Sequence, residues 1–491
     1  MSDNMMARKP REIYNNHKEE RTMALINVVN PTTLYRNTSM PALSLAYLSA
    51  YVPGGWKVKI IDETVDKFNP GELVGQADII GISGGNVCNI ERVTRMIDDI
   101  EFYDEIIGTK STVVIGGYVA SADPDFFSSK ADSVVVGPGE IAIQRLIDYF
   151  EKGTLQKLYL GKRIPMNELK KPDFSGFNIP AYGKNINWPV QTSTSCNNTC
   201  SFCSARVVFG DGYESAEAGK VLEEIASIPS GERIYFTDPN IINFTPQGIK
   251  RAKKLFQGMA KKPHPWYGSV SFKVTEHDDL LALMQKSGCY GLLIGFDSTS
   301  PKSLEEINGV KYLGVKDADE LVTSFIRGVR KIQEKYGINV LGTFVTGFDQ
   351  DDTKTFDNII RLVQQSKMSD AQCMPLTPLP GTELYEVMLG ADRIFDHKFA
   401  HYDFSEVVFK PMNFAPRDLR NQLARVYDNC YPIMARLYRR LGLLRDRPEE
   451  IMIKSVREEV EERNRRAKEE AEKAERERDE ARARRARNNT H

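Results

Sequence analysis

Residues 196–203 read Cys-Asn-Asn-Thr-Cys-Ser-Phe-Cys, which places three cysteines at positions i, i+4 and i+7 of one predicted loop. Soft thiolates favour iron–sulfur clusters, and three of them can hold three irons of a four-iron cluster. The fourth iron is left without a protein ligand, so a small chelating molecule can bind it and receive an electron. A zinc site needs a fourth ligand nearby, but the next cysteine is Cys289 and the next histidine is His264. The run therefore predicts a [4Fe–4S] cluster on Cys196, Cys200 and Cys203.

Strand and helix signals alternate after the cysteine run. A strand is predicted at 189–194, directly before the run, and helices are predicted between the strands that follow it. Repeated strand-then-helix units favour a parallel barrel, in which the active site lies at the carboxyl ends of the strands. We therefore predict a barrel over residues 189–385, with the cysteine run after its first strand. The other five predicted strands are 233–237, 267–272, 291–296, 339–345 and 370–375.

The cysteine spacing, the aromatic Phe202 before the last cysteine and the six strand–helix units resemble the radical S-adenosylmethionine (SAM) superfamily. The resemblance implies a partial (β/α)6 barrel in which SAM chelates the open iron. Electron transfer would then cleave SAM to methionine and a 5′-deoxyadenosyl radical. Matching segments follow the later strands: Phe-Thr-Asp-Pro-Asn at 236–240, Ile-Gly-Phe-Asp-Ser at 294–298, Phe-Val-Thr-Gly-Phe at 344–348, and Pro-Gly-Thr-Glu-Leu-Tyr at 380–385.

The same resemblance implies which side chains contact SAM. These are Phe202, Asp238, Asp297, Ser298 and Thr346. Asp297 stands where the family carries Glu, so its side chain is shorter by one methylene. For Asp238 and Asp297, a structural role as a helix-capping or turn residue is an equal alternative.

Short apolar strands also alternate with helices between residues 22 and 152, for example at 24–29, 79–83 and 112–116. Near-continuous apolar strands separated by helices indicate a parallel sheet covered on both faces. This is a doubly wound, Rossmann-like domain, which binds ligands at the carboxyl ends of its strands. Glycines there let backbone approach a flat ligand. The candidate ligand-binding residues are Asn30, Thr32, Ser83, Gly84, Asn86, Gly116, Gly117, Gly137, Gly139 and Glu140.

Three segments of this domain resemble the cobalamin (B12)-binding domain that precedes many radical SAM barrels. They are Pro-Ala-Leu-Ser-Leu-Ala-Tyr-Leu at 41–48, Gly-Gly at 116–117 and Gly-Pro-Gly-Glu at 137–140. A dinucleotide or flavin domain is an alternative, although Gly-x-Gly-x-x-Gly is absent from the first turn. A domain that kept the fold and lost the cofactor is another. The chain also lacks the Asp-x-His-x-x-Gly motif that ligates cobalt in many cobalamin domains, and His17 is the only histidine before His264.

Composition limits the class of protein. The chain has 491 residues, 41% of them hydrophobic, which suffices for two or three domains with sizeable cores. A net charge of −1 gives no overall attraction to nucleic acid. The four remaining cysteines of seven are scattered and are interpreted as buried thiols in a reducing cytosol. With no signal peptide and no transmembrane-length apolar run, we expect a cytoplasmic protein.

The rest of the chain is assigned by composition. We expect an N-terminal extension at 1–21 and a Pro- and Gly-rich linker at 153–188. A small helical lobe is expected at 386–448. Residues 449–491 are almost entirely Glu, Arg, Lys and Ala without a heptad pattern, which is typical of a solvated helix or a disordered tail.

Together the resemblances imply a cobalamin-dependent radical SAM enzyme that methylates an unactivated carbon of a small-molecule or lipid substrate. The methyl group would be carried by cobalamin, and a flavodoxin or ferredoxin would supply electrons. The order of the late motifs looks like the branch that contains hopanoid methylases. Ring formation or rearrangement with the same cofactors, a methylthiotransferase, and a non-catalytic cobalamin or redox sensor are the alternatives. No residue is singled out as catalytic.

Overall fold

The first sheet has six parallel strands in the order β2-β1-β3-β4-β5-β6. The computed structural model describes residues 23–31, 40–183, 186–210, 212–307 and 315–431. The strand order changes direction at β1, so β1 and β3 flank the switch point at which doubly wound sheets bind ligands. The strands are β1 (Ala24–Asn30), β2 (Trp56–Asp62), β3 (Ile79–Ser83), β4 (Thr112–Gly116), β5 (Ser133–Val136) and β6 (Leu158–Leu160).

Helices cover both faces of this sheet, as the apolar strands predicted. Helix α3 shows why its residues form a helix. Its buried residues Val93, Met96, Ile97 and Ile100 recur every three or four positions, and the left-handed Gly108 ends it at φ 75°. The helices are α1 (Leu43–Tyr51), α2 (Pro70–Leu73), α3 (Ile90–Ile107), α4 (Tyr118–Ala122), α5 (Pro124–Ser128) and α6 (Gly139–Glu151).

The second sheet also has six parallel strands, in the order β14-β13-β12-β11-β10-β7. Sequential order with helical crossovers is that of a partial barrel, which confirms the prediction. The barrel strands are β7 (Asn187–Val190), β10 (Arg233–Phe236), β11 (Trp266–Ser269), β12 (Cys289–Asp297), β13 (Asn339–Thr346) and β14 (Asp370–Pro375). The helices are α7 (Ala205–Phe209), α8 (Ala218–Ile225), α9 (Pro246–Met259), α10 (Asp278–Lys286), α11 (Pro301–Glu306), α12 (Ala318–Arg330), α13 (Thr353–Ser366) and α14 (Glu383–Gly390).

Aromatic side chains fill the layer between the barrel strands and their helices. Trp266 is fully buried and stacks on Phe256 of α9 at a centroid distance of 5.3 Å. Phe296 and Phe344, on neighbouring strands, stack at 5.4 Å, and Phe325 of α12 meets Phe296 edge-on. Such pairs add to the hydrophobic burial that holds each strand to its helix.

The strand predicted at 189–194 is interrupted. The barrel strand β7 ends at Val190, and β8 (Ser193–Thr194) pairs antiparallel with β9 (Glu214–Ser215). The cysteine run lies between β8 and β9. The chain therefore leaves the barrel sheet four residues earlier than the apolar pattern suggested, and the cysteines occupy the loop of a short hairpin.

Part of the segment predicted as a linker belongs to the first domain. Leu158–Leu160 is the sixth strand, which the sequence did not reveal because three residues are too short for a periodic signal. Farther along, Ile60 N donates to Gly176 O at 2.8 Å, and Tyr182 Oη donates to Asp62 Oδ2 at 2.6 Å. Residues 158–160, Gly176 and Tyr182 are thus bound to the first sheet, whereas Met166 N, in the same segment, donates to Glu214 of β9.

The C-terminal region is less helical than predicted before residue 416. One isolated bridge joins Ile394 to Phe409, a short 3₁₀ turn spans Phe399–His401, and α15 follows at Pro416–Cys430. The predicted N-terminal extension 1–21, the candidate Thr32 and the charged tail 449–491 lie outside the described residues, as do residues 432–448 of the expected lobe. In the part of the chain that the structure describes, no helix has the length and apolar character needed to cross a membrane.

Two adjacent glycines after β3 should differ sharply in their tolerance of a side chain. A Cβ at Gly84 would lie 2.0 Å from Cγ2 of Val119, whereas a Cβ at Gly85 would meet nothing within 4 Å. Because Val119 is β-branched and stiff, we expect Gly84→Ala to lower the free energy of unfolding by about 1–3 kcal/mol. Gly85→Ala is the matched control. Chemical denaturation of the cofactor-free protein measures both, and equal stabilities would contradict the packing described for this loop.

Candidate functional site

The carboxyl ends of the two sheets lie next to each other. Tyr118, which directly follows the Gly116–Gly117 pair after β4, donates from Oη to Pro380 O in the loop after β14, at 2.6 Å. Arg163, which follows β6, donates to Phe209 O at 3.2 Å, beyond the cysteine run. Since parallel sheets bind ligands at these ends, the boundary between the two sheets is the candidate site.

The cysteine run begins in strained backbone. Ser195 is fully buried, has φ 60°, and donates from Oγ to Gly210 O at 2.8 Å, which closes the base of the loop. Non-glycine residues in this region cost free energy and tend to cluster at functional sites. Cys200 is buried, whereas Cys196 and Cys203 are half-buried.

The donor set of this loop fits an iron–sulfur cluster. Asn198 N approaches Cys196 Sγ at 3.5 Å, an N–H to sulfur contact of the kind that tunes cluster thiolates. Among the described residues, no three His, Cys, Asp or Glu side chains converge closely enough to hold a single metal ion.

Asp238, after β10, anchors the start of the cysteine loop. Its carboxylate is 1% exposed and accepts hydrogen bonds from Thr192 N at 3.0 Å, Thr192 Oγ1 at 2.9 Å and Ser193 Oγ at 2.5 Å. Burial raises the pKa of Asp238, and these hydrogen bonds oppose that shift. This geometry agrees with the alternative of a structural role for Asp238, as a carboxylate that caps backbone and side-chain donors of a turn. Its contact with SAM stays a prediction.

Two arginines that the sequence did not single out complete the anchor. Arg251 of α9 donates to Thr192 O at 2.9 Å and to Ala216 O at 2.6 Å, on either side of the loop. Arg163 donates to Thr194 Oγ1 and forms an ion pair with Glu214 at 3.2 Å. Basic side chains are common on surfaces, so only the three-dimensional structure reveals that these two hold the hairpin around the cysteines.

The remaining SAM candidates lie at the carboxyl ends of β12 and β13. Asp297 is 7% exposed and has φ 62° at a register shift that ends β12. Thr346 Oγ1 donates to Met374 O at 3.3 Å and is fully buried. Phe202 is half-buried, and its ring lies 6.1 Å from the ring of Phe348 after β13. The structure thus brings these side chains to one edge of the barrel, together with the cysteines.

Asp351 ties these loops together and was not found from the sequence. It is fully buried and accepts from Ser303 Oγ at 2.6 Å, Gly347 N at 2.8 Å and, more weakly, Ser298 Oγ at 3.4 Å. Burial, opposed by these hydrogen bonds, raises the pKa of Asp351 to about 6. Ser298 is therefore engaged within the protein, and its predicted contact with SAM remains untested.

Two of the candidate cobalamin residues have a packing role. Val119 N donates to Gly84 O at 3.0 Å, and Gly117 has φ 92° with its Cβ position only 2.9 Å from Gly84 O. The loops after β3 and β4 are thus packed backbone to backbone. The sequence pattern attributes these glycines to the close approach of a ligand. The structure shows that Gly84 and Gly117 also lack side chains because the two loops pack against each other.

The other candidates line the same edge of the first sheet. Asn30 Nδ2 donates to Asp62 Oδ1 at 3.2 Å, and Gly137 N donates to Ser121 Oγ at 2.9 Å. Ser83 and Gly116 are the last residues of β3 and β4, Asn86 precedes a 3₁₀ turn, and Gly139 and Glu140 begin α6. These positions fit a ligand that extends over several strand ends. In addition, the Oδ1 atom of Asn27, which is buried on β1, has no hydrogen-bond partner.

A phenol and two carboxyls with raised pKa values lie on helices α1, α6 and α8. Tyr47 of α1 is 4% exposed, and its pKa is raised by burial and then by the charges of Glu224, Asp238 and Glu140. Burial raises the pKa of Glu224 to about 7, and its Oε1 is enclosed without a hydrogen-bond partner. Burial also raises the pKa of Glu140. These groups are thus biased toward their neutral forms.

Comparison with known proteins agrees with both halves of the chain. The model of the B12-binding domain matches residues 32–147, which confirms the predicted cobalamin-binding domain. Bacteriochlorophyllide d C-12(1)-methyltransferase of Chlorobaculum tepidum is 28% identical over 415 residues, covering 82% of this chain and 85% of that protein. Hopanoid C-2 methylase of Rhodopseudomonas palustris is 23% identical over 420 residues, covering 83% of this chain and 72% of that protein.

A solved structure shares the fold. It is the cobalamin-dependent S-adenosylmethionine radical enzyme OxsB with aqua-cobalamin and S-adenosylmethionine bound. The TM-score is 0.66 at 15% identity, covering 92% of this chain and 72% of that one. A B12-binding domain precedes a barrel that carries the cysteine run at its edge, and the chain is thus similar in sequence to these two methylating enzymes and in fold to a cobalamin-dependent radical SAM enzyme.

Proposed function

We propose that this enzyme transfers a methyl group from SAM to an unactivated carbon of a small-molecule or lipid substrate. The observation that carries the proposal is the cysteine run at the barrel edge, directly opposite the glycine-rich strand ends of a B12-binding domain. Two relatives aligned over about four fifths of the chain are named for methylation of a bacteriochlorophyllide and of a hopanoid. Both names support a largely apolar substrate.

Each cofactor has residues that would hold it. Cys196, Cys200 and Cys203 would ligate the cluster, and the ends of β1, β3, β4 and β5 would hold cobalamin. When bound, the cluster would supply an electron, SAM would be the source of a carbon-centred radical, and cobalamin would carry the methyl group. Reduction by a flavodoxin or ferredoxin remains a prediction.

The protein's own contribution is placement and exclusion of water. Asp238, Arg251 and Asp351 hold the loops that carry the candidate contacts. Tyr118, 8% exposed, bridges the loops of the two sheets through its bond to Pro380 O. Holding reactants in a fixed, water-free geometry provides much of the rate enhancement in reactions of this kind and protects a reactive intermediate from side reactions.

The substrate is proposed from its fit to this setting. Burial raises the pKa of Glu224 to about 7, so the surroundings of Tyr47 carry less negative charge at neutral pH than their carboxyl count suggests. A weakly charged boundary suits an apolar substrate, because no strong solvation has to be removed on either side.

A labelled-methyl experiment tests the function directly. The anaerobically reconstituted enzyme is incubated with cobalamin, reduced flavodoxin, trideuteromethyl-SAM and either a hopanoid or a bacteriochlorophyllide. We expect one of these to gain the labelled methyl in place of a hydrogen, as detected by mass spectrometry. A rearranged product without label would favour the ring-forming alternative, and uncleaved SAM would contradict radical SAM activity altogether.

Loss of one cluster thiolate should remove radical formation. We expect Cys200→Ala to abolish 5′-deoxyadenosine production from SAM under reducing conditions, because three thiolates are needed to hold the cluster with one open iron. Cys289→Ala is the matched control, since Cys289 is buried at the amino end of β12, away from the site. Retained deoxyadenosine production in Cys200→Ala would refute the cluster assignment.

Glu224 should make stability depend on pH. Its pKa is raised from 4.5 to about 7 in the folded chain, so between these values the folded state holds a proton that the unfolded state lacks. The free energy of unfolding therefore falls as pH rises through this range. We expect Glu224→Gln to raise the melting temperature at about pH 8 and to have little effect at about pH 4.5. The exposed neighbour Glu223→Gln serves as control, and an equal response of both variants would disprove the assignment.

A further inference from the structure

A single buried tyrosine joins the first sheet to the barrel. Tyr118 begins α4 directly after the Gly116–Gly117 pair, and its hydroxyl donates to Pro380 O at 2.6 Å. The two residues are 262 positions apart, and Tyr118 is 8% exposed. A hydrogen bond shielded from water in this way has a defined geometry and holds two separate loops in register.

The residues that follow Pro380 contact the chain on both sides of Cys203. Gly381, at φ 84°, presses against α7, since a Cβ there would lie 3.1 Å from Val207 Cγ1. Leu384 N, at the start of α14, donates to Ser201 O at 3.1 Å. Ser201 lies between the last two cysteines, and Val207 lies four residues after Cys203. The loop that receives the Tyr118 hydroxyl thus supports the cysteine run directly.

Toward the first sheet, Tyr118 is fixed just as firmly. Its neighbour Val119 donates from N to Gly84 O at 3.0 Å, and Gly84 N donates to Gly116 O at 2.9 Å. Gly117, with φ 92°, allows the close approach of the two loops. Movement of Tyr118 would therefore move the ends of β3 and β4 with it.

The chemical state of Tyr118 suits a permanent donor. Burial, followed by the negative charge of Cys203, raises the pKa of Tyr118 to about 12. The phenol thus keeps its proton throughout the physiological range.

We propose that Tyr118 is a positioning residue that sets the separation between the strand ends of the cobalamin-binding domain and the cluster loop. This inference rests on the proposed function, because it assigns cobalamin to those strand ends and the cluster to Cys196, Cys200 and Cys203. Transfer between two bound cofactors and one substrate depends steeply on their separation, and a misplacement of about 1 Å can cost ~10²-fold in rate. Tyr118 belongs to the strand ends of the cobalamin-binding domain and contacts the loop that supports the cysteine run. It is therefore well placed to fix the separation between the two cofactors.

Tyr118→Phe tests the inference, because it keeps the ring and removes only the donor. The matched control is Tyr402→Phe, which removes another buried phenol that donates to a backbone carbonyl, Asp396 O at 2.8 Å. Wild type and both variants are loaded with cobalamin and the cluster, and their melting temperatures establish that they are folded. Pulsed EPR then measures the magnetic dipolar interaction between cobalt(II) and the reduced cluster, and deoxyadenosine production is measured in parallel.

We expect a weaker and broader dipolar interaction in Tyr118→Phe, with SAM cleavage retained, and no change in Tyr402→Phe. Gly381→Ala, which pushes against Val207 from the other side of the same contact, should shift the interaction as well. Identical dipolar interactions in wild type, Tyr118→Phe and Gly381→Ala would overturn the inference while leaving the function intact. A wild-type protein without a corrinoid or cluster signal would instead contradict the proposed function.

Discussion

The position of the cysteine run depends on the buried carboxylate of Asp238. The chain leaves the barrel sheet after Val190, and Thr192 and Ser193 donate three hydrogen bonds to that carboxylate. Hydrogen bonds to charged groups contribute about 1.5–3 kcal/mol each, and more is lost if a buried carboxylate is left without them. Arg251 holds the carbonyl of Thr192 from the opposite side. The start of the loop is thereby fixed before the first cysteine is reached.

A second constraint comes from two parallel sheets that meet at their carboxyl ends. Each sheet brings its polar and glycine-rich loops to that edge for the same topological reason, and the fold alone would accommodate many chemistries. The chemistry is determined by what the edges carry, namely three thiolates on one and glycine-rich loops of a B12-binding domain on the other. Tyr118 and Arg163 each link a loop of the first sheet to the surroundings of the cysteines.

The architecture was largely predictable because strong local signals carry it. Apolar β-branched runs identified nearly all the strands, and the cysteine spacing identified the cluster loop. The strand Leu158–Leu160 was not predicted because three residues are too short to show a periodic pattern. The break at Gln191 and Thr192 was not predicted because the carboxylate that accepts the hydrogen bonds of Thr192 belongs to Asp238, 46 residues away. Arg163, Arg251 and Asp351 could not be found for the same reason, since their partners are distant in sequence. For Gly84 and Gly117 the need for glycine was predicted, but it arises from their packing against each other.

The most direct test of the account is EPR spectroscopy of the anaerobically purified, reduced protein before and after addition of SAM. The account predicts about four irons per chain and a cluster signal that shifts when SAM binds the open iron. Iron-poor protein, or a cluster signal that SAM leaves unchanged, would contradict it.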